Sequence, residues 1–346
     1  VTVTLADANG NLLSASGGTV VLSSTGSATI GAVTDNGNGT YTATVTNTVA
    51  ESVTISGTLD GANITDTATI TFTVGAADPT NSNTTVVAAP TSVVADGSTT
   101  STVTVTLADA NGNLLSASGG TVVLSSTGSA TIGAVTDNGN GTYTATVTNT
   151  VAESVTISGT LDGANITDTA TITFTVGAAD PTNSNTTVVA APTSVVADGS
   201  TTSTVTVTLA DANGNLLSAS GGTVVLSSTG SATIGAVTDN GNGTYTATVT
   251  NTVAESVTIS GTLDGANITD TATIAFTVGA ADPTNSNTTV VAAPTSVVAD
   301  GSTTSTVTVT LADANGNLLS ASGGTVVLSS TGSATIGAVT DNGNGT

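Results

Sequence analysis

Three residue types in this chain could do chemistry: aspartate, asparagine and tyrosine. Lys, Arg, His, Cys, Met and Trp are all absent, so there is no His, Cys or Lys to serve as base or nucleophile. A carboxylate pair of the glycosidase kind is the arrangement that survives. Asp162 and Asp168 flank one turn, and solvated turn residues are the simpler reading of both. The chain is not expected to be an enzyme.

Metal binding is the next chemistry to weigh. The stretch DANGN places Asp109, Asn111 and Asn113 at the first, third and fifth positions of a calcium loop. That pattern then requires Gly where Leu114 stands and Glu where Gly120 stands, so the match fails and an Asx-rich turn is expected instead. Aspartates near the module junctions, namely Asp78, Asp96, Asp180, Asp198, Asp282 and Asp300, are weak calcium candidates. No other cofactor is implied. Asn140, Asn165 and Asn185 begin N-x-Thr triplets that fit the glycosylation pattern. In a chain this rich in Asn and Thr such triplets arise by chance.

The tyrosines have the sharpest setting. Tyr41, Tyr143 and Tyr245 each follow DNGNGT and head an alternating stretch, TATVTN. One reading is a ring that stacks on carbohydrate. The other is a tyrosine corner, the ring folded over the edge of a sandwich near the start of strand F with its hydroxyl on upstream backbone. Binding platforms present several aromatics, and a complete module has only one Tyr and one Phe, so the structural role is favoured. Ala43, Ala145 and Ala247 then fall where antibody domains carry the strand-F cysteine.

The elements that position these residues repeat. Successive tyrosines are 102 residues apart, as are Leu5, Leu107, Leu209 and Leu311. The copies are nearly identical; Thr71 and Thr173 face Ala275. The period predicts modules at 1–78, 79–180, 181–282 and 283–346, each of ordinary domain size when complete. Val1 corresponds to Val103 in mid-strand, and Thr346 to Thr40; the sequence therefore reads as a slice of a longer array.

Within a copy, Val103, Val105 and Leu107 alternate with Thr104 and Thr106, as in a half-buried strand. Further strands are expected from Thr121, Ala130, Tyr143, Ser154 and Asn165, with turns at DANGN, DNGNG and Asp162-Gly163. A first strand from Thr186 is interrupted by Pro192, tolerated at an edge. About seven short strands with turns at close intervals indicate an all-β, immunoglobulin-like sandwich. The polar stretch from Gly177 to Asn185 is expected to be the junction, stiffened by Pro181.

In order and spacing, PTSVVADGSTTSTVTVTLADANGN followed by VTDNGNGTYTATVT resembles the bacterial immunoglobulin-like domain of the invasin and intimin type, over the whole repeat. The resemblance implies an extracellular, cell-surface stalk on a bacterium. Such a stalk carries a receptor-binding domain that would lie outside this sequence. Its expected partners are neighbouring modules of the same chain and, through that outside domain, a host or cell-surface receptor. An alternative follows from the near-identity of the copies: each presents the same patch, as assembly of like chains into an extracellular fibre or sheath requires.

Charge and hydropathy exclude other classes. The formal charge is -23 with no basic residue, so nothing can neutralise nucleic-acid phosphates or bind an anionic membrane. No apolar run approaches the length of a spanning helix. Without Cys or Lys, neither disulfides nor Lys–Asn isopeptide bonds can brace the modules.

Overall fold

The computed structural model describes residues 1–346 and contains β-strands but no helix. No helix is therefore long and apolar enough to cross a membrane. The chain divides into two compact units, Val1–Thr175 and Val176–Thr346.

The second copy of the repeat, in the first unit, is a two-sheet sandwich. One sheet runs in the order Thr85–Ala89, Ser101–Thr106, Thr142–Thr148, with the short strands Thr131–Ile132 and Thr136–Asp137 on the far side of Thr142–Thr148. The other runs Ser92–Val94, Ala170–Thr175, Ser154–Leu161, Val122–Ser126, with Ala164–Asn165 folded back on Ser154–Leu161. Lettered in chain order, the sheets are A-B-E-D and A′-G-F-C, the immunoglobulin arrangement. The first strand does not simply break at its proline. Thr85–Ala89 pairs antiparallel in one sheet, and beyond the cis Ala89-Pro90 bond Ser92–Val94 pairs parallel in the other.

Alternation sets the core. Val103, Val105 and Leu107 are fully buried, while Thr102 is exposed and Thr104 and Thr106 are half-buried. Ile157, Ile172 and Phe174 of the opposite sheet pack against them. Each such side chain contributes roughly 1.5–3 kcal/mol by burial. At the Asp162-Gly163 turn both residues have positive φ, 47° and 86°, the conformation that Asp and Gly tolerate best.

The second unit repeats this sandwich from Thr187 to Thr277 with equivalent register. The first copy has Thr2–Thr4 beside Thr40–Thr42 and a second sheet of Val20–Ser24, Ser52–Leu59 and Ala68–Thr71. The fourth contributes one hairpin, Thr289–Ala293 with Thr306–Thr310.

One expectation is corrected. The tyrosine strand is not strand F. Thr142–Thr148 pairs with Ser101–Thr106, Ala145 directly opposite Val103, so it occupies the E position in the same sheet as strand B. Position F belongs to Ser154–Leu161. Ala145 therefore does not stand where a disulfide would join the two sheets. Two alternating strands of similar length look alike in sequence; which sheet each joins is decided by its partners.

Candidate functional site: the Asp–Asn loop at the module joints

The loop DANGN does more than turn the chain. Asp109 Oδ1 accepts the backbone N–H of Asn111 and of Asn113, each at 2.9 Å. Gly112 supplies φ 85° and donates its N–H to the Asp109 carbonyl. The Asn113 amide nitrogen donates to both carboxylate oxygens, at 3.1 and 3.0 Å. These bonds make a compact, closed loop from five residues.

The loop then reaches the preceding copy. Asp109 Oδ2 accepts the N–H of Gly75 at 2.8 Å. Asn113 donates to the carbonyl of Thr48 at 2.9 Å, and its Oδ1 accepts the N–H of Ala50 at 2.9 Å. A bidentate amide and one carboxylate oxygen thus hold two backbone segments of the neighbouring module. Asp109 is 3% exposed. Hydrogen bonds, from the Asn113 side chain above all and then from Gly75, hold its carboxyl at about 2.

The second unit contains the same joint. Asp313 accepts from Gly279 at 2.9 Å, and Asn317 bonds the carbonyl of Thr252 at 3.0 Å and the N–H of Ala254 at 2.8 Å. Asn315 adds a bond to the carbonyl of Ala197. Burial acts to raise the Asp313 carboxyl, but the bonds from Asn317 and Gly279 outweigh it and the net shift is downward. Asp211 likewise accepts from Gly177 at 2.9 Å.

The linker is tied down from the other side. Asp78 donates its N–H to the Ala108 carbonyl, and Asn81 and Asn83 donate to the carbonyls of Ala110 and Gly112. The buried Thr84 hydroxyl bonds the Asp78 carbonyl and accepts from Ala108 N–H. The expected polar connector is therefore a set of turns fastened to the module that follows it.

The first copy carries the same loop. Asp7 Oδ1 accepts from Asn9 and Asn11 at 2.9 Å each, Asn11 donates to Asp7 Oδ2, and Gly10 has φ 84°. The loop is closed in the same way.

The other candidate residues lie apart from this site. Asp78 accepts from Thr80, through backbone and hydroxyl, and Asp180 and Asp282 do the same with Thr182 and Thr284. Asp96, Asp198 and Asp300 each accept from the serine and threonine that follow. No three acidic side chains come together as a metal cluster. Asp162 and Asp168 do not converge: the first accepts from Thr121 N–H, the second from Val86 N–H at a sheet edge. Tyr143 is buried; its hydroxyl donates to the Gly120 carbonyl at 2.8 Å and accepts from Gly119 N–H at 3.0 Å. Tyr41 and Tyr245 do likewise with Gly18 and Gly222. These contacts lie 23 residues upstream, across the sandwich, rather than within the local bend.

Sequence reasoning named Asn113 only as a loop residue and missed its partners Thr48 and Ala50. The Asn113 contacts join segments more than 60 residues apart, so no local signal marks them.

Fold and joints together define a tandem array of immunoglobulin-like sandwiches fastened end segment to loop. The chain belongs to the family described as invasin, domain 3, whose sequence pattern matches residues 1–75, 78–177, 180–279 and 282–346. Among solved structures it is similar to invasin, a bacterial integrin-binding protein, at 26% identity over 81% of this chain, with a TM-score of 0.46. The chain spans 57% of the length of that structure. It is also similar to InvD of Yersinia pseudotuberculosis (30% identity, 68% of this chain and 72% of that one, TM-score 0.47) and to the Escherichia coli adhesin FdeC (28%, 78% and 89%, 0.45). No curated protein matches the chain.

Proposed function

We propose that this chain is part of the stalk of a bacterial surface adhesin, extracellular, holding a receptor-binding domain away from the cell. The observation that carries this reading is the joint: the same Asp–Asn loop grips the preceding module in both units, through Asn113 and through Asn317. A loop already closed before it meets its partner loses little entropy on docking, which suits a connection that must transmit position. The modules are taken as 1–78, 79–180, 181–282 and 283–346, with each linker fastened to the module that follows. No catalytic role is assigned. The tyrosines serve the sandwich rather than a ligand, because their rings are buried and their hydroxyls occupied.

The experiment is a bending measurement. Replacing Asn113 and Asn317 by Ala should increase joint bending in electron micrographs and small-angle scattering while leaving module melting nearly unchanged. Unchanged bending would remove the loop from the account. The fibre alternative draws support from Val21, Val123 and Val225, exposed at the same place in each copy. Scattering that grows with concentration at fixed salt would favour it over a stalk of single chains.

A further inference from the structure

Each complete copy contains three Asn-Gly pairs, at Asn111, Asn138 and Asn140 in the second. Asn-Gly is the dipeptide best suited to spontaneous deamidation, because glycine leaves its backbone nitrogen unhindered for attack on the preceding side-chain amide. The structure sorts these pairs into two classes. In the Asn111 class the attacking nitrogen is occupied: Gly10, Gly112, Gly214 and Gly316 each donate to the aspartate carbonyl three residues back. In the Asn138 class it is occupied too. Gly37, Gly139, Gly241 and Gly343 each donate to an aspartate Oδ1, at 2.8–2.9 Å.

The third class differs at the attacking nitrogen and at the side-chain oxygen; exposure of the asparagine is common to all three. Gly39, Gly141, Gly243 and Gly345 donate their N–H to no acceptor. The asparagine before each is exposed, so ammonia can leave and water can enter. Its side-chain oxygen is already gripped by two donors. Asn140 Oδ1 accepts the Thr142 N–H at 3.1 Å and the Thr142 hydroxyl at 2.7 Å. Asn38, Asn242 and Asn344 have the same pair from Thr40, Thr244 and Thr346. Donors aimed at the oxygen that gains charge when a carbonyl is attacked are the arrangement of an oxyanion hole.

We propose that Asn38, Asn140, Asn242 and Asn344 are self-modifying sites, at which the chain converts its own asparagine to aspartate and isoaspartate. The Gly141 nitrogen bonds to Asn140 Cγ and gives its proton to solvent base. The Thr142 donors hold the oxyanion. The Cγ–Nδ2 bond then breaks, and the nitrogen takes a proton and leaves as ammonia. Water opens the resulting cyclic imide, at Cγ to give aspartate or at the backbone carbonyl to give isoaspartate, so no oxidant or other reactant is needed. Each event adds one carboxylate to a module. The isoaspartate product also lengthens the backbone beside Gly141, where even a Cβ would collide with the Leu115 carbonyl. The outcome is an age mark on each module, placed at the head of the tyrosine strand.

The test is peptide mapping by mass spectrometry of the full chain incubated at mildly alkaline pH, folded and in urea. The Asn38, Asn140 and Asn242 peptides share one sequence and read together, and the Asn344 peptide, ending at Thr346, reads separately. The folded chain should gain the amide-to-acid mass there before the Asn138 and Asn111 classes, and urea should bring all three together. Thr142→Val with its equivalents, which deletes the hydroxyl donor, should slow the first class roughly fivefold, the rate equivalent of one hydrogen bond. The urea rates show whether that variant acts through the fold. Equal rates for the three classes in the folded chain, or a slower Asn140 class, would overturn the proposal.

Discussion

The segments 122–126 and 326–330 carry the same residues, VVLSS. In the second copy they form a strand against Ser154–Leu161; in the fourth they form none. The counterpart of Ser154–Leu161 falls outside residues 1–346. The same contrast runs through the hairpin. Val103 and Val86 are 0% and 2% exposed in the second copy, while their equivalents Val307 and Val290 are 42% and 64% exposed. Propensity and alternation are identical between the two, so what differs is the partner. Strand formation here is a tertiary event. The joint loop behaves oppositely: Asp313–Asn317 keeps every bond of Asp109–Asn113.

The largest effect should come from supplying the missing partner. Extending the chain past Thr346 with the residues that follow Thr142, through Thr175, should turn 326–330 into a strand and bury Val307. Hydrogen exchange at Leu328 would report it. Exchange as fast as before would show that local sequence, not pairing, limits this segment.

Next in size is the core that the partner creates. Ile157→Ala should cost its module about 2–5 kcal/mol, read as a lower-melting component in calorimetry. Val307→Ala, at an exposed site, should fall within about 0.5 kcal/mol. Similar losses at the two positions would contradict the burial contrast. Tyr143→Phe falls between them, at roughly 1 kcal/mol for its hydroxyl.

These pairs show how much the sequence disclosed. Alternation at Ser101–Thr106 and Tyr143–Val147 revealed the strands and their inner faces, since period two is imposed by the pleat itself. It did not reveal that the tyrosine strand lies in the E position, because sheet membership is a relation between distant segments. The joint was hidden for a similar reason. DANGN could be read as a turn, but its grip on Thr48 and Ala50 spans more than 60 residues and leaves no local pattern.

The loop's independence of the sandwich can be probed with acid. The Asp109 carboxyl sits at about 2 against an ordinary 3.8, so folding favours its ionised form. Its stabilisation is complete above the ordinary value and is lost as pH falls through the folded one. Hydrogen-exchange protection of Gly75 N–H should therefore hold down to about pH 4 and fail between about 4 and 2. A joint that opens near neutrality would assign the grip to something other than this carboxylate. Chelator should leave the joint unchanged, since Asp78 and Asp96 already have their donors from Thr80, Ser98 and Thr99.

Salt should have the smallest effect, and its sign is the informative part. Most folded domains contain some attractive ion pairs, so added salt weakens one set of interactions while relieving another. This chain has no Lys, Arg or His, and its 23 acidic groups can only repel one another. Screening shortens that repulsion to about 8 Å at physiological ionic strength. The hydrogen bonds that hold Asp109, Asp313 and the tyrosine hydroxyls are short-range and largely indifferent to it. Sodium chloride added from low to physiological concentration should thus raise the melting temperature by about a degree or two, the shift that a few tenths of a kcal/mol produces in a domain of this size. A melting temperature that falls with salt would mean that an attraction between charges holds some part of the fold, and no side chain in this sequence can supply the positive partner.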